Sequence, residues 1–368
     1  MLVSRFDRNP VLKPKSIHSW EAQAAFNGCP VKKDDKIYLI YRGLSLPHYH
    51  ATPRTLIPVS NIGIAVSKDG LDFHDRKLLV VPEKVWERFG CEDPRVTYFD
   101  GRYFIFYTAL SNYPPTHDDI KIGVAITRDL RKIEEKHLVT HFNSKAMALF
   151  PDRIENKIWA VLTVHTDRPP SYICLASFDK IEYMWDKGYW EEWYKNFEKH
   201  ALPLLRSPAD HVEVGAPPIR TRAGWLLFYS YIRRYFTRDK LFTVEAVLLD
   251  LRDPLKIVAR TKYPLLVPEE YYEKVGYVPD VVFPSGALHV KNRIYLYYGA
   301  ADIVCCVAFI DLKLLLGKLL HKIEMQKFVR AKENPIIVPK LSWESKATFN
   351  PAAIYLDGRV HIVYRAMS

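Results

Sequence analysis

One phrase recurs along the chain and constrains its fold more than any other feature: a strand-like run enters a small or proline-marked bend, passes a polar turn, and continues as an aromatic-aliphatic strand. Its copies begin at Ala25-Phe26-Asn27-Gly28-Cys29-Pro30, Glu92-Asp93-Pro94-Arg95, Leu149-Phe150-Pro151-Asp152, Gly215-Ala216-Pro217-Pro218, Val282-Phe283-Pro284-Ser285-Gly286 and Phe349-Asn350-Pro351-Ala352. The strands that follow include Ile37-Tyr38-Leu39-Ile40-Tyr41, Tyr103-Phe104-Ile105-Phe106-Tyr107 and Ile294-Tyr295-Leu296-Tyr297-Tyr298. The period is roughly 55–70 residues, more than a compact four-stranded unit needs, which puts the surplus in loops.

A third strand, small residues followed by an acidic turn, accompanies the phrase at Gly63-Ile64-Ala65-Val66, Gly123-Val124-Ala125-Ile126, Cys174-Leu175-Ala176-Ser177, Glu245-Ala246-Val247-Leu248 and Cys306-Val307-Ala308-Phe309. Five copies of this strand against six of the first phrase predict an all-β chain: a five-bladed β-propeller with an extra C-terminal partial repeat. Small side chains would let neighbouring sheets approach near a crowded axis, and β-branched and aromatic residues fill a pleated surface. A β-sandwich with chance internal similarity is the alternative. The expected division is a single catalytic domain over residues 1–325 and a C-terminal extension over 326–368.

That extension repeats the N-terminal end. Asn9-Pro10-Val11-Leu12 with Trp20-Glu21 returns as Asn334-Pro335-Ile336-Ile337 with Trp343-Glu344. Either the tail closes a ring by pairing with N-terminal strands, which removes open edges, or it begins a second repeat set. The insert Trp185-Asp186-Lys187-Gly188-Tyr189-Trp190-Glu191-Glu192-Trp193-Tyr194-Lys195 reads as an irregular or short helical loop packed over the sheets.

Composition narrows the function classes. The formal charge is +11, yet Lys and Arg are dispersed among acids, as in Lys32-Lys33-Asp34-Asp35-Lys36, without the clustering a nucleic-acid groove requires. No run approaches the ~18 apolar residues of a membrane span, and Met1-Leu2-Val3-Ser4-Arg5-Phe6-Asp7-Arg8 lacks a signal-peptide core. The five cysteines show no metal-ligand spacing and read as reduced core thiols of a cytoplasmic protein. Nothing in the sequence demands a metal or organic cofactor.

Propellers carry chemistry in loops around one mouth of the channel, so the bends are the natural suppliers. Glu92-Asp93-Pro94-Arg95 is the sharpest: two carboxylates, a fixed bend, and a guanidinium suited to an anion. Adjacent strand residues face opposite sides, so only one of Glu92 and Asp93 is expected in the channel unless the backbone turns. A structural salt-bridged turn is the competing reading.

Glu92-Asp93-Pro94-Arg95-Val96, Lys145-Ala146-Met147-Ala148-Leu149-Phe150-Pro151, Gly215-Ala216-Pro217-Pro218-Ile219, and Phe283-Pro284-Ser285-Gly286-Ala287 followed by Tyr297-Tyr298-Gly299-Ala300-Ala301-Asp302 together resemble glycoside hydrolase family 130. The match spans about residues 9 to 325, in order. The resemblance implies a five-bladed propeller that cleaves β-mannosides, mostly by phosphorolysis and in some members by hydrolysis. It implies that Asp93 is the acid that protonates the glycosidic oxygen, with inversion at the anomeric carbon, and that Arg42 and Lys145 bind phosphate. Arg168 is displaced from the place of a third cation, and His211 stands where the family usually has a lysine. Glu213 is an added carboxylate: the base of a hydrolase, a sugar ligand, or an ion-pair partner. Glu92, Arg95, Tyr107 and Asp302 are the expected sugar contacts, with Tyr231 and Tyr235 as further platforms; tyrosines in such strands are also core residues.

Phosphate is already anionic and needs cations to hold it, whereas water needs a base. The expected activity is therefore inverting phosphorolysis of β-linked manno-oligosaccharides to α-mannose 1-phosphate, with inorganic phosphate as co-substrate and no metal. An inverting β-mannosidase using Asp93 and Glu213 is the alternative, and a non-catalytic sugar-binding propeller the third. Oligomeric state is left open.

Overall fold

The computed structural model describes residues 2–168, 170–320 and 331–368. The chain is all-β in its main elements, and each recurring phrase folds as an antiparallel pair. Ala24–Lys33 pairs with Lys36–Leu44, Gly90–Phe99 with Arg102–Leu110, Ser144–Leu149 with Ile158–Val164, and Val282–Val290 with Arg293–Ala300. At the fourth phrase the first strand is split, His211–Val214 and Ile219–Thr221 both pairing with Gly224–Arg233. The third strands, Ser60–Ser67, Ile120–Thr127, Tyr172–Phe178, Leu241–Leu249 and Val304–Asp311, add antiparallel to the second. Tight turns with positive φ, such as Asp100 (50°) and Gly101 (77°), match the twist of the strands they join.

The strand Val3–Arg5 pairs with the outer side of Val304–Asp311, so the last sheet takes a strand from the other end of the chain. Arg5 fastens it: Nε donates to the buried carboxylate of Glu273 at 2.7 Å. Single parallel bridges, Ala25 to Val304 and Ser60 to Gly90, join neighbouring sheets. Apolar side chains fill the space between successive sheets, as where Phe104, Phe106 and Val124 pack with Met147, Leu162 and Trp190. The aromatic insert is a helix, Lys187–Lys195, capped by Asp186 and burying Trp190 and Trp193 in that core. All five cysteines are free thiols and buried.

The bends of the first, second and fifth phrases are β-bulges, and in the third strand set a bulge lies just before the Leu149-Phe150-Pro151-Asp152 bend. Register shifts fall between Phe26 and Cys29, Glu92 and Arg95, Lys145 and Ala148, and Pro284 and Gly286. The first three contain a non-glycine residue with positive φ: Asn27 (49°), Asp93 (49°) and Ala146 (55°). A bulge inserts an unpaired residue and re-aims its neighbours, which is the physical content of the phrase.

Two expected sugar contacts are structural instead. Tyr107 is 1 % exposed; its hydroxyl donates to Glu87, whose carboxylate also pairs with Lys136. The ring lies across Gly123, its cross-strand partner, where a Cβ would come within 2.7 Å of Cζ. Tyr41 and Gly63 repeat the arrangement. At these two positions the small residues of the third strand therefore make room for an aromatic ring within the sheet. Arg95, also 1 % exposed, spends its guanidinium on the carbonyls of Asp93 (2.7 Å), Gly215 (3.0 Å) and Val214 (3.1 Å), tying the bulge at Asp93 to the end of the strand His211–Val214. Tyr231 is likewise core, its hydroxyl donating to Asp210 at 2.7 Å.

The chain separates into two compact units, Met1–Ile323 and Glu324–Ser368; the boundary expected at 325/326 lies outside the described residues. Among its described residues the second unit holds one hairpin, Ala347–Leu356 with Arg359–Met367. It reproduces the hairpin of Ala24–Lys33 and Lys36–Leu44. Phe349 pairs with Arg365 as Phe26 does with Arg42, each guanidinium 4.9 Å from the ring centre, and Asn350 takes φ 53° as Asn27 takes 49°. The Tyr364 hydroxyl donates to Glu344 at 2.8 Å, as that of Tyr41 does to Glu21.

Tyr107→Phe is expected to cost about 1 kcal/mol of stability, the net worth of one buried hydrogen bond, with no change in sugar affinity. Urea unfolding and ligand titration of the variant check both.

Candidate active site

A cavity of about 310 Å³ gathers Asn27, Arg42, Glu92, Asp93, Thr108, Lys145, Asp167, Glu213, Tyr235 and Asp302. Each of the bulged or split first strands contributes to it. Both Glu92 and Asp93 face the cavity, against simple strand alternation, because Asp93 sits in the left-handed region at the bulge. Asn27 holds Asp93, its amide donating to Oδ1 at 2.7 Å. The close approach needs Gly299: a Cβ there would lie 1.9 Å from Asn27 Oδ1.

Arg42 spans the carboxylate pair, with NH2 2.5 Å from Glu92 and NH1 3.4 Å from Asp93, while its Nε donates to Ser60 at 2.9 Å. The two acids are pushed apart. Burial raises Glu92, opposed by Arg42 and helped by the charge of Asp93. Burial acts on Asp93 in the same sense but is outweighed by Arg42, Arg95 and Asn27, so Asp93 lies below the ordinary carboxylate range. Of the unliganded pair, Glu92 is therefore the easier to protonate.

Across the cavity Lys145 Nζ pairs with Glu213 at 2.9 Å. Burial opposes the lysine's charge, but Glu213 and Asp167 more than restore it; burial raises Glu213, with Lys145 pulling the other way. Asp302, on the turn after Arg293–Ala300, is pushed up to about 6 by burial, with Arg42 opposing and Asp93 reinforcing. Its backbone is left-handed, φ 55°. An acid with a raised pKa in a cleft is a candidate functional position.

Seven of the expected residues therefore come together: Arg42, Glu92, Asp93, Lys145, Glu213, Tyr235 and Asp302. Arg168 does not. It is exposed, and its charge bears on His165, which hydrogen-bonds Tyr194; the neighbouring Asp167 takes the cavity position. His211 is fully buried and outside the cavity lining, and burial and then the Lys145 charge push its pKa down to about 3, which disfavours a cation there. It lies behind Tyr235, ring centres 4.2 Å apart. Sequence reasoning missed Asn27, Thr108 and Asp167. Asn27 was legible as a bend residue in the first phrase, and Thr108 as the neighbour of Tyr107 on the opposite strand face.

Among the described residues no group of His, Cys, Asp and Glu is arranged to hold a metal, and no helix is long and apolar enough to cross a membrane. A wider surface groove, about 1090 Å³, runs between the turns at Arg222 and Lys291 and the helix Leu312–Leu319; it is lined in part by leucines and, among the described residues, by no carboxylate.

The family model for glycoside hydrolase family 130, described as β-1,4-mannooligosaccharide phosphorylase, matches residues 3–322. The chain belongs to glycoside hydrolase family 130. Within the family it is 34% identical over 318 residues to a 1,2-β-oligomannan phosphorylase of Thermoanaerobacter sp. (strain X514), covering 84% of this chain and 98% of that one. A β-1,2-mannobiose phosphorylase of the same organism is 31% identical, covering 84% and 97%. Among solved structures, the β-1,2-mannobiose phosphorylase of Listeria innocua in complex with β-1,2-mannobiose superposes with a TM-score of 0.72 at 26% identity, over 87% of this chain and 99% of that one. The family description names β-1,4 linkages, whereas these three relatives are named for β-1,2.

Asp302 gives a pH signature. Its folded-state pKa of about 6 exceeds the unfolded value of about 3.9. The stability this contributes is fully present below about pH 4 and lost as pH rises through 6. Asp302→Asn is therefore expected to be more stable than the wild type above pH 6, by up to about 3 kcal/mol, with the difference vanishing near pH 4. Thermal melts across that range check the sign.

Proposed function

We propose that this protein is an inverting β-mannoside phosphorylase acting on β-1,2-linked manno-oligosaccharides. The observation that carries the reading is the meeting of Asp93 with Arg42 and Lys145 in one cavity; the named relatives support both phosphorolysis and the β-1,2 linkage. In this reading phosphate sits between Arg42 and Lys145 and attacks the anomeric carbon on the face opposite the leaving oxygen. The C1–O bond breaks as the C1–O–P link forms, and the leaving oxygen takes a proton from Asp93. The products are α-mannose 1-phosphate and the shortened sugar. Asp302 and Glu92 hold sugar hydroxyls, and Tyr235 offers its ring edge.

Asp93 is proton-poor in the unliganded cavity, and phosphate supplies the remedy. A dianion drawn to Arg42 weakens the interaction that depresses Asp93, so Asp93 takes up a proton from solvent as the nucleophile binds and passes it to the leaving oxygen, and the monohydrogen phosphate, once esterified, releases its own proton to solvent. The nucleophile arrives charged, and the reading calls for no cofactor beyond inorganic phosphate.

A five-bladed propeller belongs to the same proposal. The five strand sets, and the N-terminal strand that joins the last of them, support a ring closed by its two ends. A cytoplasmic location is supported by five buried free thiols. One observation favours a second reading: Glu213 is a buried carboxylate with a raised pKa on the cation side of the cavity, where a hydrolase needs its base.

The test is turnover of β-1,2- and β-1,4-mannobiose with and without phosphate, assaying mannose and mannose 1-phosphate. Phosphate-dependent mannose 1-phosphate from the β-1,2 substrate is expected, and Asp93→Asn should lower kcat at least 10²-fold. Mannose released without phosphate would replace this reading with the hydrolase, and binding without turnover would leave a sugar-binding protein.

A further inference from the structure

Lys145 is not free to receive an anion. Its ammonium already holds the carboxylate of Glu213 at 2.9 Å, and Glu213 is only 2 % exposed. A phosphate that binds Lys145 must displace that carboxylate, and a displaced, buried carboxylate needs another donor. The structure holds one in reserve. His211 and Glu213 lie two residues apart on the strand His211–Val214, so their side chains leave on the same face, while Val212 and Val214 enter the core. His211 Nε2 stands 3.7 Å from Glu213 Oε1, beyond hydrogen-bond reach. Both ring nitrogens are fully buried and without a partner. Buried polar atoms are nearly always paired, and this imidazole is held in place by its stack on Tyr235, which is itself tied to Asp167.

We propose that Glu213 is a carboxylate gate on the phosphate seat, paired with Lys145 when the seat is empty and swung onto His211 Nε2 when phosphate occupies it. This rests on the phosphorylase reading and assigns Glu213 a role that is neither base nor sugar ligand. The swing closes the 3.7 Å gap to a hydrogen-bond length of about 2.9 Å. It requires a neutral imidazole carrying its proton on Nε2, and the depressed pKa of His211 keeps the ring neutral. Asp167 and Lys145 face the gate from the neighbouring strand set, and Arg95 lies behind it. His211 is thus a positioning residue that acts through Glu213.

The test is steady-state phosphorolysis by the full chain with phosphate varied at saturating β-1,2-mannobiose. Removing the internal anion in Glu213→Gln is expected to lower the phosphate KM about tenfold and to leave the mannobiose KM where it was. Removing the reserve donor in His211→Phe, which keeps the stack on Tyr235, is expected to raise the phosphate KM severalfold. His211→Gln, which retains an N–H donor, should restore it. The double variant should match Glu213→Gln alone, because the imidazole has no function without the carboxylate. If His211→Phe does not fold, the Glu213→Gln and His211→Gln results decide. A phosphate KM unchanged or raised in Glu213→Gln, or a raised mannobiose KM, overturns the gate while the phosphorylase reading stands. Wild-type turnover that ignores phosphate removes both.

Discussion

A strand that alternates its side chains cannot present two consecutive carboxylates to one cavity, and the bulge at Asp93 removes that limit. The same device at Asn27 and at Ala146 brings Arg42's partner strand and Lys145 toward the shared cavity. Each bulge leaves backbone carbonyls and amides unpaired, and the fold answers from within. Arg95 takes the carbonyls of Asp93, Val214 and Gly215, and Asn27 takes Asp93 itself. The site's rigidity and its chemistry therefore share residues.

Charge is the second organising fact. The cavity lining holds five carboxylates, Glu92, Asp93, Asp167, Glu213 and Asp302, against the cations Arg42 and Lys145, and each cation is already covered by an acid. Such a cavity does not attract phosphate by net charge. In the proposed reading it binds an anion by exchange, the incoming oxygens taking the place of carboxylates that have somewhere else to go or a proton to accept. The raised Glu92, Glu213 and Asp302 are the acids best able to take that proton.

Much of this was legible in the sequence because a repeated phrase reports a repeated bend. The strand sets, the aromatic helix and the duplicated C-terminal hairpin follow from phrases such as Phe349-Asn350-Pro351, which mirror Phe26-Asn27-Gly28 down to the arginine over the phenylalanine ring. What stayed hidden is decided by backbone sign and depth. That both Glu92 and Asp93 face inward depends on one positive φ, and that Tyr107 is core and Thr108 is site depends on strand phase. Arg168 and Asp167 are neighbours on a turn whose direction no pattern predicts, and His211 looked like a cation until its burial was known.

The central claim is that an anion binds between Arg42 and Lys145, and calorimetric titration of phosphate into the unliganded protein tests it most directly. The account predicts one phosphate per chain, with binding abolished in both Arg42→Met and Lys145→Met. Absence of phosphate binding in the wild type, or binding that survives both substitutions, would contradict it.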